Sequence, residues 1–194
     1  VSHPIPDAEG EYIQTLLAPE GERFGVLFSY AEGEKLHNFS VETHYEIGGI
    51  MARLHQVTQN FKLERVTYNA EVLLINSTNQ FLPFLPADCA ETAFIKNSQK
   101  YLLDYLADIN VQELRSGAIH LDIWFDNLNI SNTGEITIFD FDFCGNGWLC
   151  LDLAYYVLQV RSVERDKPEC LPKVQSFIRG YESVTPLSAE EKRV

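Results

Sequence analysis

The sequence predicts an α+β fold: a mostly helical body with a small sheet embedded in it, preceded by a strand hairpin. Three observations carry that prediction. Two apolar, strand-like runs open the chain around a turn. Amphipathic helical patterns fill most of the remainder, and between the helices short apolar runs alternate densely around the tight turn Asn132-Thr133-Gly134.

The opening runs are residues 11–17 (EYIQTLL) and 23–30 (RFGVLFSY), and Ala18-Pro19-Glu20-Gly21-Glu22 between them supplies turn residues for an antiparallel hairpin. Ala31-Glu32-Gly33-Glu34 breaks the second strand. Apolar residues then recur at Ile47, Ile50, Met51 and Leu54, which predicts a helix capped by Asn38 or Ser40 and ending near Gln56. Residues 57–90 show no steady period and include Phe81-Leu82-Pro83-Phe84-Leu85-Pro86, so irregular structure with one short helix is expected there. Unstructured stretches of that length are uncommon in compact domains and are often functional. Phe94, Ile95, Leu102, Leu106 and Ile109 mark one face of a long helix over 91–114, expected at the centre of the domain, with Asp104, Asp108 and Glu113 on its solvated side.

Short strands follow at Ala118-Ile119, at 128–130 and at 136–139, then helices over 149–160 and 169–181. Ser188 and Glu191 have the spacing of a capping box, which opens one more helix.

Composition narrows the function. With 194 residues, 45% of them hydrophobic, the chain can bury one core and a small satellite. No apolar run approaches a membrane span and Val1-Ser2-His3-Pro4-Ile5-Pro6 has no signal-peptide order, so a cytoplasmic protein without membrane contact is expected. Cys89, Cys144, Cys150 and Cys170 form no C-x-x-C pair and read as reduced core thiols. A net charge of −13 without any basic stripe excludes binding to nucleic acid through its phosphates. That charge serves solubility, or else attraction of a cationic substrate.

The chemistry is concentrated in Ile119-His120-Leu121-Asp122-Ile123-Trp124-Phe125-Asp126-Asn127 and in Ile138-Phe139-Asp140-Phe141-Asp142. An H-x-D-x-x-x-x-N loop lies between strands, and a second acidic pair closes the next hairpin. Phosphoryl transfer asks for few protein groups: a carboxylate to take the proton of the attacking hydroxyl, and hard oxygen ligands to fix magnesium against the phosphates. Asp122, Asn127 and Asp140 supply that set. The loop spacing lets Asp122 and Asn127 point into one cavity, and the hairpin returns Asp140 beside them.

The loop resembles the H-G-D-x-H-x-x-N loop of the aminoglycoside phosphotransferase and choline kinase type of small-molecule kinases. Asp140-Phe141-Asp142 with Leu151-Asp152-Leu153-Ala154 is similar to that family's I-D-[FW]-x-x … D-L-A signature, and the likeness extends to residues 26–36 and to Leu54-His55. The resemblance implies a protein-kinase-like fold, ATP and Mg2+ as cofactors, and a small-molecule hydroxyl as acceptor. It makes Asp122 the catalytic base, Asn127 and Asp140 magnesium ligands, and Asp142 a further candidate ligand of metal or water. The backbone around Ser29, Tyr30 and Ala31 would then meet the adenine edge. Among departures, Leu121 stands for a glycine, Trp124 and Phe125 for His and Pro, and Asp126 for a glycine. A tryptophan also occurs in the loop of fructosamine kinases, and Trp124 is expected either to pack in the core or to stack under substrate.

A glycine-rich phosphate loop and a strand lysine, which kinase-type sites need, are not found. Residues 1–31 are therefore expected to be the remnant of an N-terminal lobe and residues 32–194 a catalytic lobe shortened at its end. Alone, such a chain would be inactive and would self-associate through its uncovered hairpin. Residues 57–90 and the helices after Asp152 would hold the acceptor. The competing functions are a catalytically incomplete kinase-like binding module and a metal-dependent hydrolase built on the same acidic cluster. His120 and Asp152 are expected to bond the loop, and His55 to be a satisfied histidine at a helix end. His3, His37 and His44 suggest no partners.

Overall fold

The computed structural model describes residues 1–36, 38–165 and 167–194, so His37 lies outside the described residues. The chain divides into two compact units, Val1–Asn38 with Ile123–Phe141, and Phe39–Asp122 with Asp142–Val194.

In the first unit the predicted hairpin is present as β2 (Gln14–Ala18) and β3 (Gly21–Gly25), turning at Pro19-Glu20. Gly21 has φ +124°, a conformation open to glycine and costly for other residues. The second predicted run does not stay one strand. After Gly25 it leaves the hairpin as β4 (Leu27–Phe28), which pairs with β1 (Pro4–Ile5). Two-residue strands are too short to carry a period, so sequence patterning could not announce this ladder. The hairpin is bare on both faces, with Leu17 87% and Phe24 75% exposed on one and Leu16 55% exposed on the other.

The same unit contains β6 (Leu128–Ile130) and β7 (Ile136–Ile138), in register Leu128↔Ile138. Their turn is closed by Ser131, whose Oγ accepts from the amides of Thr133 and Glu135, and by Gly134 at φ +85°. Leu128 and Ile138 are fully buried, which stabilises the pairing by roughly 2 kcal/mol for each side chain. Glu34 bridges to Ile130, and a Cβ on Gly33 would lie 2.3 Å from the Ile130 carbonyl. Only glycine lets the segment after Ala31 lie so close to β6.

The second unit is mostly helical. Helix α1 (Val41–Thr58) is capped by Ser40, whose Oγ accepts from the Thr43 amide at 3.2 Å. It crosses α5 (Cys170–Glu182) at backbone contact, since a Cβ on Gly48 would sit 2.1 Å from the Phe177 oxygen and one on Gly180 1.9 Å from the Tyr45 oxygen. Two glycines inside helices each cost about 1 kcal/mol of helix propensity, and the close crossing offsets it. Helix α4 (Cys150–Val163) packs on α5, with Met51, Leu153, Tyr156, Phe177 and Tyr181 in the buried core. The capping box forms as expected at the start of α6 (Ala189–Arg193), and its Glu191 also pairs with Arg115 in a two-pronged contact of 2.7 and 2.8 Å.

Four expectations need correction. Residues 71–84 are continuously helical: a π-helical turn (Glu71–Asn76), α2 (Ser77–Phe81) and a 3-10 turn (Leu82–Phe84). A π turn breaks the 3.6-residue period, so the usual signal vanished. Helix α3 (Ala90–Ala107) is not central; Thr92 is its buried residue, and Phe94 and Tyr101 are 71% and 67% exposed. Nor is there one embedded sheet. Each ladder among the described residues has two strands, and β5 (Ser116–Ile119) pairs with β8 (Gly145–Trp148), whose glycine-rich sequence hid it. The four cysteines are free thiols, but only Cys150 is buried, and burial pushes its pKa up to about 12.

Candidate active site

The base candidate sits where β5 ends. Leu121 and Asp122 follow Ile119-His120, and Leu121 adopts φ +59°, the left-handed conformation that its glycine counterpart in the resembling loops takes freely. For a leucine this costs roughly 1–2 kcal/mol. The compensation comes from Asp152 in the first turn of α4. Its carboxylate accepts from the His120 amide at 3.0 Å and the Leu121 amide at 2.6 Å, and from His55 Nε2 at 2.9 Å. Hydrogen bonds to a charged group contribute about 1.5–3 kcal/mol each, so the two amide bonds outweigh the strain.

His55 is satisfied on both sides, as expected. Its Nε2–H faces the carboxylate, which leaves Nδ1 to accept from the Tyr181 hydroxyl at 2.9 Å. His120 is 1% exposed and its Nδ1 accepts from the Asp122 amide at 3.2 Å, the backbone-bonding role read from the sequence. The loop carrying Asp122 is thus fixed by side chains from α1, α4 and α5 and by its own histidine.

The Asp122 carboxylate is half-buried, and its Oδ1 accepts from the Tyr155 hydroxyl at 2.6 Å. Burial, then the hydrogen bond to Asp122 and its negative charge, push the Tyr155 phenol up to about 12. Sequence reasoning missed Tyr155. The available signal was its place three residues after Asp152, on the same face of α4.

The second unit also holds Asp142, whose carbonyl accepts from Arg65. The stretch around Arg65 runs beside the one after Asp142. Asn146 donates to the carbonyls of Leu63, Arg65 and Val66 and accepts from the Leu63 amide, and Tyr68 donates to the Phe143 carbonyl. Part of the segment read as irregular is therefore a brace for the acidic stretch.

The remaining candidates belong to the first unit. Asn127 ends a 3-10 turn (Phe125–Asn127), is 5% exposed, and its amide bonds the Trp124 carbonyl at 3.0 Å. Trp124 packs its ring on Phe125 at 4.4 Å. The Phe139 amide donates to the Asn127 carbonyl at 3.2 Å, extending the β6–β7 register by one pair and bringing Asn127 next to the residue before Asp140. Asp140 then turns left-handed at φ +66°, which breaks the strand alternation. Aspartate tolerates that conformation better than most residues.

Ser29, Tyr30 and Ala31 follow β4. The Ser29 amide and carbonyl are engaged by His3 and Ser2, and the Ala31 carbonyl accepts from Asn129 Nδ2 at 2.8 Å. Asn129, also missed in the sequence, thus ties the hinge-like segment to the hairpin that bears Asn127.

Among the described residues, no group of three His, Cys, Asp or Glu side chains could hold a metal by itself. The donors at the candidate positions are an amide and two carboxylates, all hard oxygen. Such a set suits a magnesium ion that keeps water and takes phosphate oxygens from a bound nucleotide, and does not suit zinc.

Residues 3–187 match the sequence pattern of the phosphotransferase enzyme family. The chain belongs to that family. It is 30% identical over 203 residues to an uncharacterized protein of Synechocystis sp., covering 99% of this chain and 53% of that protein. It is 28% identical over 189 residues to a homoserine kinase of Sinorhizobium medicae, covering 97% and 55%. The phosphotransferase-family chain thus spans about half the length of these relatives. Its fold is similar to that of amicoumacin kinase hAmiN, solved with AMP-PNP, Ca2+ and Ami, with a TM-score of 0.74, 22% identity, and coverage of 97% of this chain and 57% of that one. The protein-kinase-like α+β expectation holds. Among the described residues, no helix is long and apolar enough to cross a membrane.

Proposed function

We infer that the complete protein transfers the γ-phosphate of ATP to a hydroxyl group of a small molecule. Asp122 acts as base. Asn127 and Asp140 hold Mg2+, with Asp142 as a further ligand of metal or water, and the backbone around Ser29, Tyr30 and Ala31 takes the adenine edge. The observation that carries this reading is the loop carboxylate itself: Asp122 is presented by a strained backbone that Asp152 fixes through two amides. Strain held in this way clusters at active sites.

Bound Mg2+ would neutralise the charge gathering on the phosphate oxygens. The chain's own part is to orient the acceptor and receive its proton on Asp122. Family membership supports a phosphotransferase, and the homoserine kinase relatives support a small hydroxyl compound as acceptor. The exposed apolar residues of the β2–β3 hairpin support self-association of the 194-residue chain.

The test is ADP release from ATP by the complete protein across a panel of hydroxyl compounds including homoserine, with and without Mg2+. Metal-dependent turnover with at least one compound is expected, and Asp140→Asn should raise the Mg2+ requirement and nearly abolish turnover. Turnover indifferent to Mg2+, or undiminished in that variant, would refute the metal assignment.

A further inference from the structure

Helix α4 meets the loop twice. Asp152 and Tyr155 lie three residues apart, on one face, and Asp152 takes the His120 and Leu121 amides while the Tyr155 hydroxyl takes Oδ1 of Asp122. The carboxylate and the backbone that carries it are therefore gripped from a single rigid element.

We propose that Tyr155 is a positioning residue for phosphoryl transfer, clamping the Asp122 carboxylate in the orientation in which it receives the acceptor's proton. This rests on Asp122 being the base. In the step, the acceptor oxygen bonds to the γ-phosphorus as the bond from that phosphorus to the β,γ-bridging oxygen breaks. The electron pair leaves on ADP, and the acceptor proton passes to Asp122. A carboxylate free to rotate about its χ angles would meet that proton in few of its orientations, and terminal torsions of this kind are broad. A phenol at 2.6 Å narrows them. With its pKa pushed up to about 12, the phenol keeps its proton throughout the physiological range, so Tyr155 always donates and does not itself serve as base.

The test compares variants of the complete protein at saturating MgATP, using the panel compound of highest turnover. Tyr155→Phe keeps the ring and removes the donor. It should lower kcat about tenfold to a hundredfold, the equivalent of one hydrogen bond to a charged group, with the KM for ATP unchanged. Tyr155→His keeps a donor on a smaller ring and should retain more turnover than the Phe variant while being no more stable to heat. If turnover instead follows ring size, so that Phe matches the parent and His falls, or if the ATP KM rises in step with the loss of kcat, the residue only packs and the proposal is wrong. Asp122→Asn separates the two inferences. If it abolishes turnover while Tyr155→Phe equals the parent, positioning alone is refuted; if it keeps near-normal turnover, the base assignment falls and positioning with it.

Discussion

Leu121 holds its strained conformation only because Asp152 takes its amide and that of His120. Replacing Asp152 with Asn removes the charge and turns an NH2 group toward one of the three donors now served by the carboxylate. We expect Asp152→Asn to lower the unfolding free energy by about 2–4 kcal/mol, the cost of leaving a buried donor unsatisfied plus a weakened charge-assisted bond. Urea unfolding measures it, and a loss below about 0.5 kcal/mol, the scale of an ordinary surface change, would show that the loop does not depend on this clamp. Asp152 and His120 were legible because each sits in a short motif, although the bonds from Asp152 to the loop span 31 and 32 residues. Tyr155 was not, because its bond to Asp122, over a similar separation, involves a residue outside any such motif.

The α1–α5 crossing separates two adjacent glycines cleanly. A Cβ on Gly48 meets the Phe177 oxygen at 2.1 Å, whereas one on Gly49 meets nothing closer than the Arg53 side chain at 3.4 Å. Gly48→Ala should therefore destabilise by about 3 kcal/mol through overpacking, and Gly49→Ala should stabilise by about 0.5–1 kcal/mol through helix propensity. Equal effects in chemical denaturation would mean that the helices do not cross at backbone contact. The buried face of α1 also carries His44, whose pKa is lowered from 6.5 to about 4, first by burial and then by Lys173, against the opposing effect of Glu164. The folded state resists a proton that the unfolded chain accepts. Stability is thus full above pH 6.5, falls as pH drops toward 4, and levels off below, for a loss on the order of 3 kcal/mol. Thermal melts across that window should show the slope, and His44→Gln should flatten it. Helices α1, α4, α5 and α6 were legible because period and caps agreed. The β1–β4 ladder, β8 and the helical stretch over 71–84 were not, for want of length, apolar side chains and a 3.6-residue period respectively.

For the whole molecule, a net charge of −13 works against association, while the β2–β3 hairpin exposes Leu17, Phe24 and their neighbours and promotes it. If contact between these apolar side chains prevails once salt screens the charge, sedimentation of the 194-residue chain should show oligomers that increase with ionic strength. Leu17→Lys with Phe24→Lys should return it to monomer, and a parent chain monomeric at every salt concentration would contradict the reading. The central claim is that Asp122 receives the acceptor's proton. The most direct measurement is single-turnover phosphate transfer by Asp122→Asn with its ATP affinity determined in parallel. The account predicts transfer lower by about 10²–10⁴-fold with ATP binding unchanged; transfer close to the parent rate would contradict it.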